Sequence, residues 1–179
     1  MGLIASTTGY TREMLDQLLD SGAREGYVPD CSVTPGEAGS GRPQPFMMYE
    51  CAIRLQVWPM SAIAKIGDTP ADILEGLNAG AWSIGVAATG NMIGLTCEEF
   101  RALPEAERAA RLDDARAELA KAGAHYVVDS VAELEPVLDA IDAQLEEAMK
   151  KFPKELGIAG IEAKPCASCA KVSGAPGQG

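Results

Sequence analysis

Short apolar runs alternate with amphipathic segments along the chain as far as residue 152. Runs of mostly apolar residues predict strands, whereas apolar positions three and four apart predict helices. Strands are predicted over residues 2–5, 31–34, 62–66, 82–86 and 124–129, and helices over residues 12–24, 44–55, 70–78, 97–102, 105–122 and 131–152. Strands that alternate with helices favour a parallel sheet, because right-handed crossovers place helices over its faces. The pattern therefore predicts an α/β domain over residues 1–152.

The periodicity is lost after residue 153, where small residues, proline and glycine dominate. This composition offers no apolar face to bury, so residues 153–179 are predicted to form a flexible C-terminal tail. Cys166 and Cys169 have the spacing of half a zinc site, but zinc takes four ligands and the sequence offers no second pair. We therefore expect free thiols in the tail.

Charge and hydropathy exclude several classes of partner. The formal net charge is −11 and the sequence pI about 4.5, which argues against nucleic acid and against anionic membrane surfaces. No run of about 18 apolar residues predicts a membrane span, and no basic-then-apolar leader is visible at the N-terminus. The cytoplasm is the expected compartment.

The segment over residues 67–72 follows the third predicted strand and carries two carboxylates. Asp68 stands where that strand ends. Thr69, Pro70 and Asp72 then form a helix start, with a cap, a first-turn proline and an acidic third position. Ligands of α/β proteins bind at this edge of the sheet, and two carboxylates there can hold Mg²⁺ together with waters and a phosphate. A plain helix cap stays open as the alternative.

Two further segments have the chemistry of an anion site. Residues 6–12 place hydroxyls and a glycine between the first strand and the first helix, where backbone N–H groups can bind phosphate. Arg42 precedes Pro43, which restrains the backbone, and a guanidinium can donate two hydrogen bonds to a phosphate. A plain Ser/Thr cap and a solvated loop arginine are the alternatives. His125 has no partners for a catalytic triad and is expected to be structural.

Taken together, these segments resemble the phosphonoacetaldehyde hydrolases, which belong to the haloacid dehalogenase superfamily. The resemblance runs from about residue 2 to about residue 145 and rests on residues 6–14, 26–30, 41–43, 65–69, 75–82 and 123–126. It implies a three-layer, Rossmann-like parallel sheet. It also implies that the chain lacks two parts that precede residue 2 in the family: the first strand, which bears the nucleophilic aspartate, and the helical cap, which bears a lysine.

The resemblance implies cleavage of the P–C bond of phosphonoacetaldehyde, a small-molecule phosphonate, to acetaldehyde and phosphate. In the family the cap lysine forms a Schiff base with the aldehyde, and the phosphoryl group passes to the core aspartate, so that covalent catalysis splits one hard step into two. No lysine of this chain matches the cap lysine. The chain would therefore supply only the phosphate- and Mg²⁺-binding part of a hydrolase.

Individual site residues are carried over from the same resemblance. Thr8 matches the phosphate-holding hydroxyl, with the Gly9 amide beside it, while Ser6 and Thr7 stay open as alternatives. Tyr10 is expected near the substrate.

The remaining matches concern charge. Arg42 takes a position where many superfamily members have lysine, and it is expected to bind phosphate and hold the nucleophile. Asp68 matches the Mg²⁺ ligand. Asp72 matches the acidic residue that supports the metal, either through a water molecule or through contacts with the groups that bind the metal. The family forms homodimers, but the missing cap leaves the oligomeric state of this chain open.

Two other functions stay open: another phosphatase of the haloacid dehalogenase type, and a non-catalytic fragment or half-enzyme that needs an N-terminal partner chain. In the superfamily the nucleophile strand lies between the strand near Gly2 and the strand that ends at Asp68. We therefore expect two half-sheets with unpaired inner edges, and a purified chain that is molten, aggregated or completed by a partner. Direct pairing of the Ile4 strand with the Ile63 strand is the alternative outcome.

Overall fold

The computed structural model of the chain describes residues 2–151. The predicted tail over residues 153–179, with Cys166 and Cys169, lies outside these residues. Contacts divide the chain into one unit over Met1–Leu145 and a second that begins at Glu146, of which only the end of the last helix is described. Within the described range, no helix is both long and apolar enough to cross a membrane.

Strands and helices alternate along the described residues, as predicted. The strands are β1 (Ala5–Thr7), β2 (Cys31–Val33), β3 (Ala64–Gly67), β4 (Trp82–Val86) and β5 (Tyr126–Val128). The helices are α1 (Arg12–Arg24), α2 (Pro35–Ala38), α3 (Phe46–Leu55), α4 (Pro70–Ala79), α5 (Cys97–Ala102), α6 (Glu105–Lys121) and α7 (Leu134–Lys151), with short 3-10 turns at Met60–Ala62, Asn91–Ile93 and Val131–Glu133. The predicted α/β class is confirmed.

All strand pairs are parallel, but they form two separate sheets. β1 pairs with β2, with Ser6 opposite Ser32. β3, β4 and β5 form the second sheet in that order, with Ile66 opposite Ile84. No strand among residues 2–151 pairs with the inner edge of β1 or of β3. The first and third strands therefore do not pair directly, and the expected split into two half-sheets is confirmed.

Helices cover both faces of the three-stranded sheet. On one face, Ile73 of α4 and Leu119 of α6 form a buried cluster, and Gly85 of β4 faces Leu119. On the opposite face, the neighbouring Ile84 packs with Ile141 of α7. Successive residues of a strand point to opposite faces, so β4 is covered on both sides. The predicted three-layer arrangement is present around this sheet.

β1 begins three residues later than predicted. The pattern favours residues 2–5, whereas β1 is Ala5–Thr7 and Ile4 is half exposed. The Ile4 carbonyl accepts a hydrogen bond from the Asp30 backbone N–H, and the Ile4 N–H donates to the Asp30 carboxylate at 2.8 Å, so pairing begins where the chain meets β2. Ser6 and Thr7 therefore lie within the strand, and the loop starts at Thr8.

The apolar face of α1 is only partly covered. The pattern predicts Met14, Leu15, Leu18 and Leu19 on one face of the helix; of these only Leu15 is buried, and Met14 and Leu18 are 49% and 52% exposed. A sheet of only two strands offers a helix little surface to pack against, so part of this apolar face stays exposed.

The short helix α2 is not predicted by the pattern, because its four residues carry no apolar stripe. Its start is fixed by Glu37, whose carboxylate accepts from the Thr34 N–H at 2.9 Å and from the Thr34 hydroxyl at 2.8 Å. The same carboxylate pairs with Arg12 of α1 and, at 3.3 Å, with Arg54 of α3. Glu37 therefore joins three helices around β2.

Candidate functional site

The loop after β1 presents a hydroxyl and a glycine at the start of a helix. Thr8 follows the strand directly, and its hydroxyl accepts a hydrogen bond from the Tyr10 N–H at 3.3 Å. Thr11 caps α1 by accepting from the Met14 N–H at 3.4 Å. Tyr10 is about half exposed. The loop is therefore open to a ligand and lies at the positive end of the α1 dipole.

Asp68 follows β3 at the carboxyl end of the strand, as predicted. One of its carboxylate oxygens, Oδ2, accepts from the Asn91 N–H at 2.7 Å, so the loop after β4 fixes its direction. Gly90 passes close by, and a Cβ on Gly90 would lie 2.6 Å from the Asp68 Cβ. Within the described residues, no hydrogen bond reaches the other oxygen, Oδ1, which leaves it available to a cation.

Arg42 and Asp72 form a partly buried ion pair. Arg42 Nη1 lies 2.5 Å from Asp72 Oδ1, and Asp72 Oδ2 accepts from the Thr69 hydroxyl at 2.6 Å and from the Thr69 N–H at 3.2 Å. Burial raises the pKa of Asp72, but the Thr69 hydrogen bond and the charges of Lys65 and Arg42 outweigh it and hold the pKa below its usual value. Asp72 is therefore ionised at neutral pH.

The guanidinium of Arg42 also lies against the loop after β1. Its Nη2 atom is 3.1 Å from the position that a Cβ on Gly9 would occupy, so only a glycine allows this approach without displacement. Arg42 thus connects Gly9 at the end of β1 with Asp72 at the start of α4. Three of the predicted site residues meet at this point. Within the described range, no hydrogen bond joins Thr8 to Arg42, and no hydrogen bond or ion pair joins Asp68 to Arg42.

The carboxylates present suit a magnesium ion of the kind that keeps waters and bridges to phosphate. Mg²⁺ needs only one or two protein carboxylates in such sites. Asp68 has an oxygen free for it, whereas both Asp72 oxygens already accept hydrogen bonds. Asp72 therefore fits a supporting role better than direct ligation. No group of three or more His, Cys, Asp or Glu side chains that could hold a metal occurs among residues 2–151.

Two charged residues behind the site are missed by the sequence patterns. Lys65 of β3 is 8% exposed and Glu75 of α4 is fully buried. The Lys65 ammonium lies 2.6 Å from Glu75 Oε2 and 3.4 Å from Asp72 Oδ1, and it donates to the Thr7 hydroxyl at 2.7 Å. A lysine inside an apolar strand is the available signal, because a buried lysine requires a carboxylate nearby.

His125 lies apart from these residues. Its Nδ1 accepts from the Ser83 N–H at 3.0 Å and its ring packs edge-on against Trp82, which agrees with the predicted structural role. Trp82 and His125 line a shallow surface depression, and Met92 lines another together with α6, but neither depression includes a predicted site residue.

No family model matches the chain, but curated relatives do. A phosphonoacetaldehyde hydrolase of Nitratidesulfovibrio vulgaris (strain DSM 19637 / Miyazaki F) is 47% identical over 153 residues, which cover 86% of this chain and 54% of that protein. A phosphonoacetaldehyde hydrolase of Bacillus cereus (strain G9842) is 41% identical over 141 residues, covering 79% and 53%. The chain thus spans about half the length of these curated relatives.

A bifunctional phosphonoacetaldehyde hydrolase/aminoethylphosphonate transaminase of Clostridioides difficile (strain 630) is 45% identical over 139 residues, which cover 78% of this chain and 22% of that protein. Within that two-function protein, the match therefore extends over less than a quarter of the length.

Solved structures agree with this relationship. A phosphonoacetaldehyde hydrolase-like protein from Oleispira antarctica aligns with a TM-score of 0.78 at 36% identity, covering 81% of this chain and 52% of that one. A haloacid dehalogenase family hydrolase from Deinococcus radiodurans R1, solved with bound phosphate and sodium, aligns with a TM-score of 0.56 at 22% identity and supports the fold alone. Over the residues that they share, the chain is similar in sequence to curated phosphonoacetaldehyde hydrolases, and it has the fold of a haloacid dehalogenase family hydrolase.

Proposed function

We propose that this chain forms the phosphate- and Mg²⁺-binding part of a phosphonoacetaldehyde hydrolase, which cleaves the P–C bond of its substrate to give acetaldehyde and phosphate. The observation that carries the proposal is the position of Arg42, whose guanidinium lies between Gly9 in the loop after β1 and the ionised Asp72 in the first turn of α4. The relatives named for this activity support the choice of substrate.

Each site residue makes a different contribution to binding the phosphonate group. The Thr8 hydroxyl and the Gly9 N–H donate hydrogen bonds to it, at the positive end of α1. Arg42 contributes a fixed positive charge, and Asp72 holds that guanidinium in place. Asp68 holds Mg²⁺, which when bound offsets the charge of the phosphoryl group.

The bond-breaking groups come from outside residues 1–179 in this proposal. Lys65 is enclosed by two carboxylates, and Lys121 on α6 is exposed, so neither has the surroundings of a Schiff-base amine. The unpaired inner edges of β1 and β3 accept a parallel strand that ends in the nucleophilic aspartate. That strand and the lysine-bearing cap are supplied by a segment preceding Met1 in the same polypeptide or by a separate chain.

A binding measurement tests what this chain itself contributes. Inorganic phosphate is titrated into the ¹⁵N-labelled chain with Mg²⁺ present, and the Gly9 amide resonance is followed. If the chain alone lacks a dispersed amide spectrum, a complementing fragment is added, consisting of the half of the Nitratidesulfovibrio vulgaris relative that the chain does not match.

The proposal expects saturable binding that Arg42→Ala weakens at least about tenfold, because the variant loses a charge-assisted contact. The matched control is Arg111→Ala, which removes an exposed arginine on α6 whose one ion pair among residues 2–151 is with Glu107 in its own helix. Asp68→Asn should remove the Mg²⁺ dependence, whereas Asp114→Asn on the exposed face of α6 should not. Phosphate binding that is equally strong in Arg42→Ala contradicts the site.

A further inference from the structure

A buried ion pair lies behind the candidate phosphate site. Glu75 is fully buried, and its Oε2 atom is within ion-pair distance of Lys65, although neither oxygen of Glu75 makes a well-aligned hydrogen bond within the described residues. Taking two charges out of water is costly, and an apolar pair of similar size is often at least as stable. The pair therefore calls for an explanation other than stability alone.

The pair is the inner end of a chain of alternating charges. Glu75 contacts Lys65 at 2.6 Å, Lys65 contacts Asp72 at 3.4 Å, and Asp72 contacts Arg42 at 2.5 Å. Arg42 in turn lies against Gly9, where the anion would bind. The four formal charges of these side chains sum to zero. The net charge beside a bound anion therefore depends in part on Lys65 and Glu75, which do not contact the anion.

A second branch of the cluster reaches the other side of the site. The Lys65 ammonium crosses from β3 to β1 and donates to the Thr7 hydroxyl at 2.7 Å. Thr7 is the last residue of β1 and directly precedes Thr8 and Gly9. Lys65 therefore contacts both supports of the anion site: the strand that carries the loop, and the carboxylate that holds Arg42.

We propose that Lys65 and Glu75 are positioning residues that set the affinity of the site for phosphate, Lys65 by supporting Thr7 and Asp72 and Glu75 by balancing the charge of Lys65. This inference rests on the proposed function, since it takes the position between Gly9 and Arg42 as the phosphate site. It goes beyond that function by assigning control of anion affinity to residues that do not contact the anion.

The two residues are expected to act in opposite directions. Lys65→Met leaves the cluster with a net negative charge and leaves Asp72 bound to Arg42 alone, so phosphate binds more weakly. Glu75→Gln leaves a net positive charge, so phosphate binds more tightly. A unit charge about 10 Å away at an effective dielectric constant of about 20 corresponds to a change on the order of tenfold. A purely structural pair predicts weaker binding in both variants.

The test repeats the phosphate titration of the Gly9 amide at low ionic strength with these two variants. The full chain is used, with the complementing fragment added if the chain alone lacks a dispersed spectrum. The matched controls make the same charge changes in the exposed pair of α6, as Arg111→Met and Glu107→Gln, and each should shift the affinity by less than about twofold.

Each outcome decides the matter. Weaker binding in Lys65→Met together with tighter binding in Glu75→Gln supports the inference. Changes in the same direction, or no change, overturn the inference and leave the proposed function standing. If Lys65→Met does not fold, the sign of the Glu75→Gln change decides. If neither variant folds, the pair is structural only and the inference fails. If the unsubstituted chain does not bind phosphate in either form, the proposed function fails, and the inference fails with it.

Discussion

The buried pair of Lys65 and Glu75 yields a prediction about stability that is separate from its effect on phosphate. Lys65→Met removes the cation that lies 2.6 Å from Glu75 Oε2 and leaves a fully buried carboxylate without a counter-ion within the described residues. It also removes the hydrogen bond from Lys65 to the Thr7 hydroxyl. Both losses act on the folded state.

The expected cost is large relative to the stability of a domain. Breaking a buried ion pair by removing one partner costs about 3–5 kcal/mol, and the lost hydrogen bond adds about 1 kcal/mol. A whole domain has a stability of about 5–15 kcal/mol. Lys65→Met is therefore expected to remove a large share of the free energy of unfolding, or all of it if the chain is marginal.

The double substitution Lys65→Met with Glu75→Leu removes both charges together. Because no buried charge is left unpaired, its free energy of unfolding is expected to lie within about 1 kcal/mol of the unsubstituted chain, or above it. The assay is urea unfolding followed by circular dichroism, with the complementing fragment present if the chain alone shows no cooperative transition. The matched control is the exposed pair, as Arg111→Met with Glu107→Leu, where each change should stay within about 0.5 kcal/mol.

A cost below about 1 kcal/mol for Lys65→Met would refute the reasoning, because it would mean that Glu75 finds water or another partner and is not buried as described. A double variant as unstable as Lys65→Met would show that the loss arises from packing and not from the unpaired carboxylate.

Three further predictions concern single positions. Gly67→Ala places a Cβ against the side chain of Asp72, so it should weaken phosphate binding at least about fivefold, whereas Gly36→Ala, which meets no atom within 4 Å, should not. The Arg12 hydrogen bond lowers the pKa of Glu37 to about 2, so the ionised carboxylate stabilises the fold fully above about pH 5 and loses this effect as the pH falls toward 2. Glu37→Gln should therefore flatten that part of the acid-unfolding curve, and an unchanged curve would contradict this. Burial raises the pKa of Cys51 to about 12, so iodoacetamide at pH 8 should modify the exposed Cys97 but not Cys51 in peptide maps, and rapid labelling of Cys51 would show that α3 opens.

Most helix bounds could be predicted from the sequence because caps and apolar stripes act locally. α1 and α5 match the predicted residues 12–24 and 97–102. α4 ends at Ala79, one residue beyond the predicted 70–78, and is followed by Gly80 with a φ of 74°. These helices carry a threonine at the N-cap or a glycine just after the last turn, and such signals need no tertiary partner.

Features that depend on distant neighbours could not be predicted in the same way. The start of β1 is determined by pairing with β2, so the apolar character of residues 2–5 predicts a strand that begins too early. The exposure of Met14 and Leu18 depends on how many strands lie beside α1. The pairing of Lys65 with Glu75 joins a strand to the following helix, and only the burial of both residues shows that they interact.

The candidate site was predicted in part. Arg42, Asp72 and Gly9 come together in the structure, although 30 residues separate Arg42 from Asp72 along the chain. The sequence could place each of them at the end of a strand or the start of a helix, and parallel strands bring those ends to one edge. The roles assigned to the individual residues stay predictions, because they concern a phosphate and a metal rather than contacts within the chain: Thr8, Gly9, Tyr10, Arg42, Asp68 and Asp72.

The central claim, that this chain is the phosphate-binding part of a phosphonoacetaldehyde hydrolase completed by a strand and cap from outside it, is tested most directly by acetaldehyde release. The purified chain, the complementing fragment and their mixture are each given phosphonoacetaldehyde and Mg²⁺. The account predicts release by the mixture alone, lost in Arg42→Ala and Asp68→Asn and retained in Arg111→Ala. Release by the isolated chain, or a stable mixture that hydrolyses phosphate esters but yields no acetaldehyde, would contradict it.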